Sequence, residues 1–108
     1  MVQTITMEHM PKTTKKALDN TTPLAKQLFP MALAYEPYFC NEKVITDISV
    51  KITGMLNEKG EDIYLLTVLY DYGKDSNLYG VYLYGINRYY LTNNKIYSST
   101  HEYCETYA

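Results

Sequence analysis

A chain of 108 residues, 20% of them charged and 46% apolar, has the length of one domain and can bury roughly 65% of its unfolded surface, enough for a single core without disulfide or metal staples. That composition excludes a disordered segment, which has too little apolar surface to offset chain entropy. The net charge of −2, split as about +2 over residues 1–30 and about −4 over residues 31–108, leaves the tyrosine-rich half without the basic patch of a polyanion binder and excludes the dense carboxylate array of a DNA mimic except as a local patch.

At the N-terminus Val2–Thr6 has the β-branched character of a short strand. Pro11 follows, and Thr13 or Thr14 can cap a short helix through Leu18, ended by Asn20-Thr21-Thr22. Thr22 then caps a second helix with Pro23 at its first position, where the missing N–H costs nothing, and Leu24, Leu28 and Met31 form its apolar stripe. Pro30 is expected to interrupt that helix, because proline removes a donor and clashes with the carbonyl four residues earlier. Met31–Tyr35 therefore reads as a separate turn or a kinked extension, closed by Pro37.

From Val44 the period changes to two. Thr46, Ile48, Val50, Ile52 and Leu56 share one face, with Asp47, Ser49, Lys51 and Thr53 on the other, the pattern of a strand with one wet side. Asn57-Glu58-Lys59-Gly60 supplies a hairpin turn into Ile63–Tyr72, which is apolar on both parities and so reads as a central strand buried on both faces. After a loop at Gly73–Asn77, Leu78–Ile86 reads as a third strand, with Tyr82 and Tyr84 on the face of Leu78. Arg88–Leu91 and Ile96–Ser99 flank Thr92-Asn93-Asn94-Lys95, whose asparagines tolerate a left-handed turn, and give a fourth and a fifth strand. The tail Thr100–Ala108 is compatible with a strand or a helical turn. The expected fold is a single α+β domain over residues 1–108: short N-terminal helices in residues 1–43, packed on an antiparallel meander of four to five strands in residues 44–108.

Several constellations were weighed for chemistry. His9, Cys40, His101 and Cys104 are zinc-ligand types, but their spacing lacks the two tight pairs of a structural site. Cys40 or Cys104 with His101, or Ser98 and Ser99 beside it, lack the strained glycine elbow and oxyanion hole of nucleophilic catalysis. Glu61-Asp62, Asp71 and Asp75 flank turns, where carboxylates solvate loops. The glycines at 54, 60, 73, 80 and 85 form no phosphate cradle. No catalytic residue, metal or cofactor is assigned, although a small hydrolase or metal site around His101 stays as an alternative.

The distinctive feature is tyrosine: eleven of thirteen lie between Tyr64 and Tyr107, with only Lys74, Arg88 and Lys95 as cations there. Tyrosine packs an apolar body while its hydroxyl seeks a partner, which suits both cross-strand pairing and interfaces. Stacking single-stranded bases on these rings would require a cationic groove, so nucleic acid is the weaker reading and a protein partner the stronger. The expectation is a non-enzymatic protein-binding or inhibitor module. Its contact residues would be Tyr82, Tyr84, Tyr89, Tyr90 and Arg88, with at least one of the consecutive pair Tyr89-Tyr90 exposed. A homodimer through the sheet edge or face is a further alternative. The profile matches accessory proteins of phages and mobile elements that occlude a host protein. A leader or a bilayer-spanning run is not recognisable, Cys104 lies too far from the end for prenylation, and two cysteines in a non-secreted domain read as free thiols. A cytoplasmic location follows as the expectation, which also makes the glycosylation triplet Asn20-Thr21-Thr22 irrelevant.

Overall fold

The computed structural model describes residues 12–105; the strand expected at Val2–Thr6, the ligand candidate His9 and Tyr107 lie outside them. Helix α1 runs Lys12–Asp19 and helix α2 Pro23–Tyr35, followed by a 3-10 turn at Pro37–Cys40. Thr22 caps α2 as its sequence requires, its Oγ1 accepting from Ala25 N at 3.4 Å, with Pro23 in the first turn. Pro30 corrects the expectation of a break: α2 passes through it as one helix. The proline removes one intrahelical bond, while Ala25, Leu28, Phe29, Ala32 and Leu33 are all buried along the same helix, so packing outweighs the local penalty.

Four antiparallel strands follow, β1 Ile45–Glu58, β2 Glu61–Tyr72, β3 Tyr84–Leu91 and β4 Ile96–Cys104, paired in chain order. The β1–β2 hairpin closes through Lys59 (φ 53°) and Gly60 (φ 82°), two left-handed residues in succession, as a turn matched to the strand twist demands. The β3–β4 turn departs from its reading. Asn93 and Asn94 do not take positive φ; instead Thr92 Oγ1 accepts from the backbone N–H groups of Asn94 and Lys95.

The third strand also differs from expectation. Leu78–Ile86 and Arg88–Leu91 are not two strands: residues 78–83 belong to a looped connection, and a single strand begins at Tyr84. Gly80 with φ 80° turns the chain there, and the loop is tied down by Leu83 N donating to Cys104 O at 2.8 Å. The tail is the other half of this correction, since Thr100–Cys104 extends β4 to pair with the start of β3.

The helices cover one sheet face. Phe29, Leu33 and Phe39 pack with Val50, Leu66, Val68, Tyr89 and Leu91 in one core cluster. In β1 a bulge at Asp47 (φ 48°) shifts the register between Thr46 and Ser49, so that Ile45 and Ile48 are both buried although they differ in parity. Beyond Ile52 the strand outruns the helices, leaving Met55 and Leu56 exposed. β2 is central in pairing and more deeply buried towards the helices: Leu66, Val68, Tyr70 and Tyr72 face them, while on the other face Leu65, Thr67 and Leu69 are half-buried and Ile63, near the strand's start, is buried.

Candidate functional site

Two surfaces draw on the tyrosine-rich half, one on each side of the sheet. The side away from the helices is set by register alone. Ser49, Leu69, Ile86 and Glu102 lie in one cross-strand row, Lys51, Thr67, Arg88 and Thr100 in the next, and Leu65, Tyr90 and Ser98 in a third. None of these residues is buried, and neither α1 nor α2 covers them among the described residues. Leu69 and Ile86 in one row and Leu65 and Tyr90 in another form two apolar pairs on the middle strands, separated by the polar pair Thr67 and Arg88. In that central row Arg88 Nη1 donates to Glu102 Oε2, and the Thr67 hydroxyl bonds with that of Thr53 at 2.6 Å.

Register also sorts the five tyrosine and arginine positions singled out from sequence. Tyr90 and Arg88 stand on this open face, and Tyr84 shares their parity at its end, opposite Cys104. Tyr89 does not. It is wholly buried under the helices because adjacent strand residues point to opposite faces, which removes it from any contact surface. Tyr82 is displaced as well, lying in the looped connection with its ring stacked on Tyr103 at 5.0 Å.

On the helix-bearing side a polar network is built around Asn87, fully buried in the middle of β3. Its Oδ1 accepts from the Tyr70 hydroxyl at 2.8 Å and stands 2.9 Å from His101 Nδ1. Its Nδ2 donates to the hydroxyls of Tyr38 at 2.6 Å and Tyr89 at 3.0 Å. Every polar atom of the amide is thus engaged, which is what keeps a buried asparagine tolerable. His101 Nε2 in turn lies 3.0 Å from Glu36 Oε1, at the junction of α2 and the 3-10 turn. A protonated ring donates to both flanking acceptors.

Beside this network opens a pocket of about 300 Å³, whose walls include Tyr38, Tyr70, Tyr72, Leu78, His101 and Tyr103. Burial raises the hydroxyl pKa of Tyr38, Tyr70 and Tyr89 above the usual tyrosine value, and that of Tyr72 to about 12. All four are therefore neutral phenols at physiological pH. The Tyr72 hydroxyl is buried and has no hydrogen-bond partner. Gly85 makes the arrangement possible: a Cβ there would come within 2.6 Å of the Tyr70 ring and the Tyr72 hydroxyl.

His101 lines this pocket and pairs with the Glu36 carboxylate, which is not among the pocket's lining residues. Neither Glu36 nor Asn87 was singled out from sequence. Asn87 was legible in principle, as a polar residue on the parity of Tyr89 and Leu91. Glu36 was not, since its approach to β4 is a matter of tertiary packing. No serine or cysteine hydrogen-bonds to His101 among the described residues, so the dyad has no nucleophile in contact. Cys40 and Cys104 are free thiols, the former's pKa raised by burial. No cluster of three or more His, Cys, Asp or Glu gathers among the described residues, and no helix among them is long and apolar enough to cross a membrane. Compared with protein-family models, curated proteins and solved structures, the chain matches none.

Proposed function

We propose that the chain is a non-enzymatic protein-binding module, an inhibitor or adaptor that acts by covering part of another protein with the open face of its sheet. The observation that carries this reading is the open sheet face on which the apolar pairs Leu69–Ile86 and Leu65–Tyr90 flank Thr67 and Arg88, a face that no described helix packs against. Its composition suits a protein surface: aliphatic and aromatic side chains on either side of a central guanidinium. The same face gives nucleic acid little to hold, because Arg88 is neutralised by Glu102 and Lys51 is the only other cation in the three rows.

The test places a photo-crosslinking amino acid at Thr67, in the centre of the face, and at Lys16 on the exposed side of α1. Crosslinking in cell lysate should give a discrete adduct from Thr67 that Tyr90→Ala reduces several-fold, and none from Lys16. Equal labelling from both positions, or an adduct indifferent to Tyr90→Ala, would sink the proposal. An adduct of twice the chain mass, matched by sedimentation of a dimer, would make a second copy the partner.

A further inference from the structure

The pocket on the helix-bearing side plays no part in the function proposed above, which uses the opposite face of the sheet. We infer that it is a binding site for a small, planar, uncharged aromatic molecule carrying a carbonyl or ring-nitrogen acceptor. Its volume of about 300 Å³ lies at the small end of ligand pockets and suits a molecule of one or two rings. Tyrosine rings supply the walls, and aromatic rings accept a planar guest by offset or edge-to-face contact.

The polarity of the guest follows from the hydroxyls. Tyr72 is 8% exposed, and its hydroxyl makes no hydrogen bond of ordinary length in the protein, although the Tyr70 hydroxyl stands close by. Buried phenols of this kind remain protonated, so Tyr72 offers a donor and calls for an acceptor. Tyr38 adds a second donor, since its oxygen already accepts from Asn87 Nδ2 and its own proton is left to give. No lysine or arginine lines the pocket to neutralise an anion. The nearby carboxylate of Glu36 is committed to His101, so an organic cation would gain ring contacts but leave the Tyr72 proton unmatched. The hydroxyl is closed off from solvent, and a guest reaches it by turning aside a wall ring. Tyr103, 53% exposed at the rim and stacked on Tyr82, is the wall ring that would turn.

Saturation-transfer NMR on the full chain, with benzamide as the probe and benzyltrimethylammonium and toluene as comparisons, tests the assignment. Benzamide should receive saturation with a Kd on the order of 1 mM, and Tyr72→Phe should weaken it about fivefold or more. Toluene should bind less well than benzamide and equally to both proteins, because it has no acceptor to lose. Tyr72→Phe deletes only an unpartnered hydroxyl, so its melting temperature should be unchanged or higher, which separates lost binding from lost folding. The assignment is overturned by identical benzamide affinity in the two proteins, by absence of transfer at about 10 mM, or by preference for the ammonium.

Discussion

Asn87 shows how much one side chain can organise. Four ring-bearing residues converge on its amide, and replacing it with leucine would leave the hydroxyls of Tyr38, Tyr70 and Tyr89 buried without their partner. At roughly 1–3 kcal/mol for each unsatisfied group, Asn87→Leu should lose about 3 kcal/mol or more in urea unfolding, whereas Tyr89→Phe, which removes one bond and keeps the ring, should lose about 1 kcal/mol. Comparable losses from both would show that ring packing, not the amide, holds the cluster. Asp71 makes the opposite kind of case. Burial raises its pKa, with a further upward push from Asp47. The folded state therefore holds that proton more tightly than the unfolded chain, so ionisation costs stability above the folded-state value and the cost vanishes below about 3.8, the ordinary carboxylate value. Asp71→Asn should accordingly raise the melting temperature at pH 7, with the gain closing as the pH falls below 4; a gain that persisted at pH 3 would contradict this. At this scale the sequence was only half readable. Strand alternation required that Tyr89 and Tyr90 part company, but which of them met the helices depended on register across β2 and β3.

Elements were more legible than residues where a local rule had no competitor. The Thr22–Pro23 cap and the Lys59–Gly60 turn both follow from backbone chemistry confined to a few residues, and both formed where that chemistry pointed. The α+β class and the meander were readable for the same reason. Pro30 and Leu78–Ile86 failed because tertiary forces decided them: an apolar helix face carried α2 past its proline, and a glycine turn diverted a stretch whose alternation looked like a strand. Pro30→Ala should then stabilise the protein by about 1–3 kcal/mol, by restoring a backbone donor within a helix that already exists. If α2 were locally broken at that point, the gain would be absent. Gly85→Ala should act in the other direction, by about 1–3 kcal/mol, since the new methyl meets the Tyr70 ring and the Tyr72 hydroxyl at 2.6 Å. Thermal and urea unfolding of these two variants would check both signs.

Across the whole molecule the buried tyrosines should couple alkaline ionisation to unfolding. Burial raises the pKa of Tyr38, Tyr70, Tyr72 and Tyr89, so their contribution to stability is intact below about 10 and is lost as the pH climbs through the folded-state values, about 12 for Tyr72. Absorbance at about 295 nm should show an abrupt rise near pH 12, when the buried rings ionise, together with the loss of circular dichroism. A single smooth titration with the fold intact would contradict it. What could not be read at this scale was the division of labour between the sheet faces, because both carry tyrosines and only the placement of the helices tells them apart. The strand order has a kinetic consequence as well. Each strand pairs with its successor in the chain, so every ladder closes over a short connection and the loop-entropy barrier to forming the sheet is low. The helices are the opposite: Phe29 and Leu33 are synthesised first, yet the partners they bury against extend to Tyr89 and Leu91. On a ribosome the first third of this chain would emerge with its apolar stripe uncovered and wait for the last third, which makes early synthesis, rather than the finished fold, the moment of greatest exposure to aggregation.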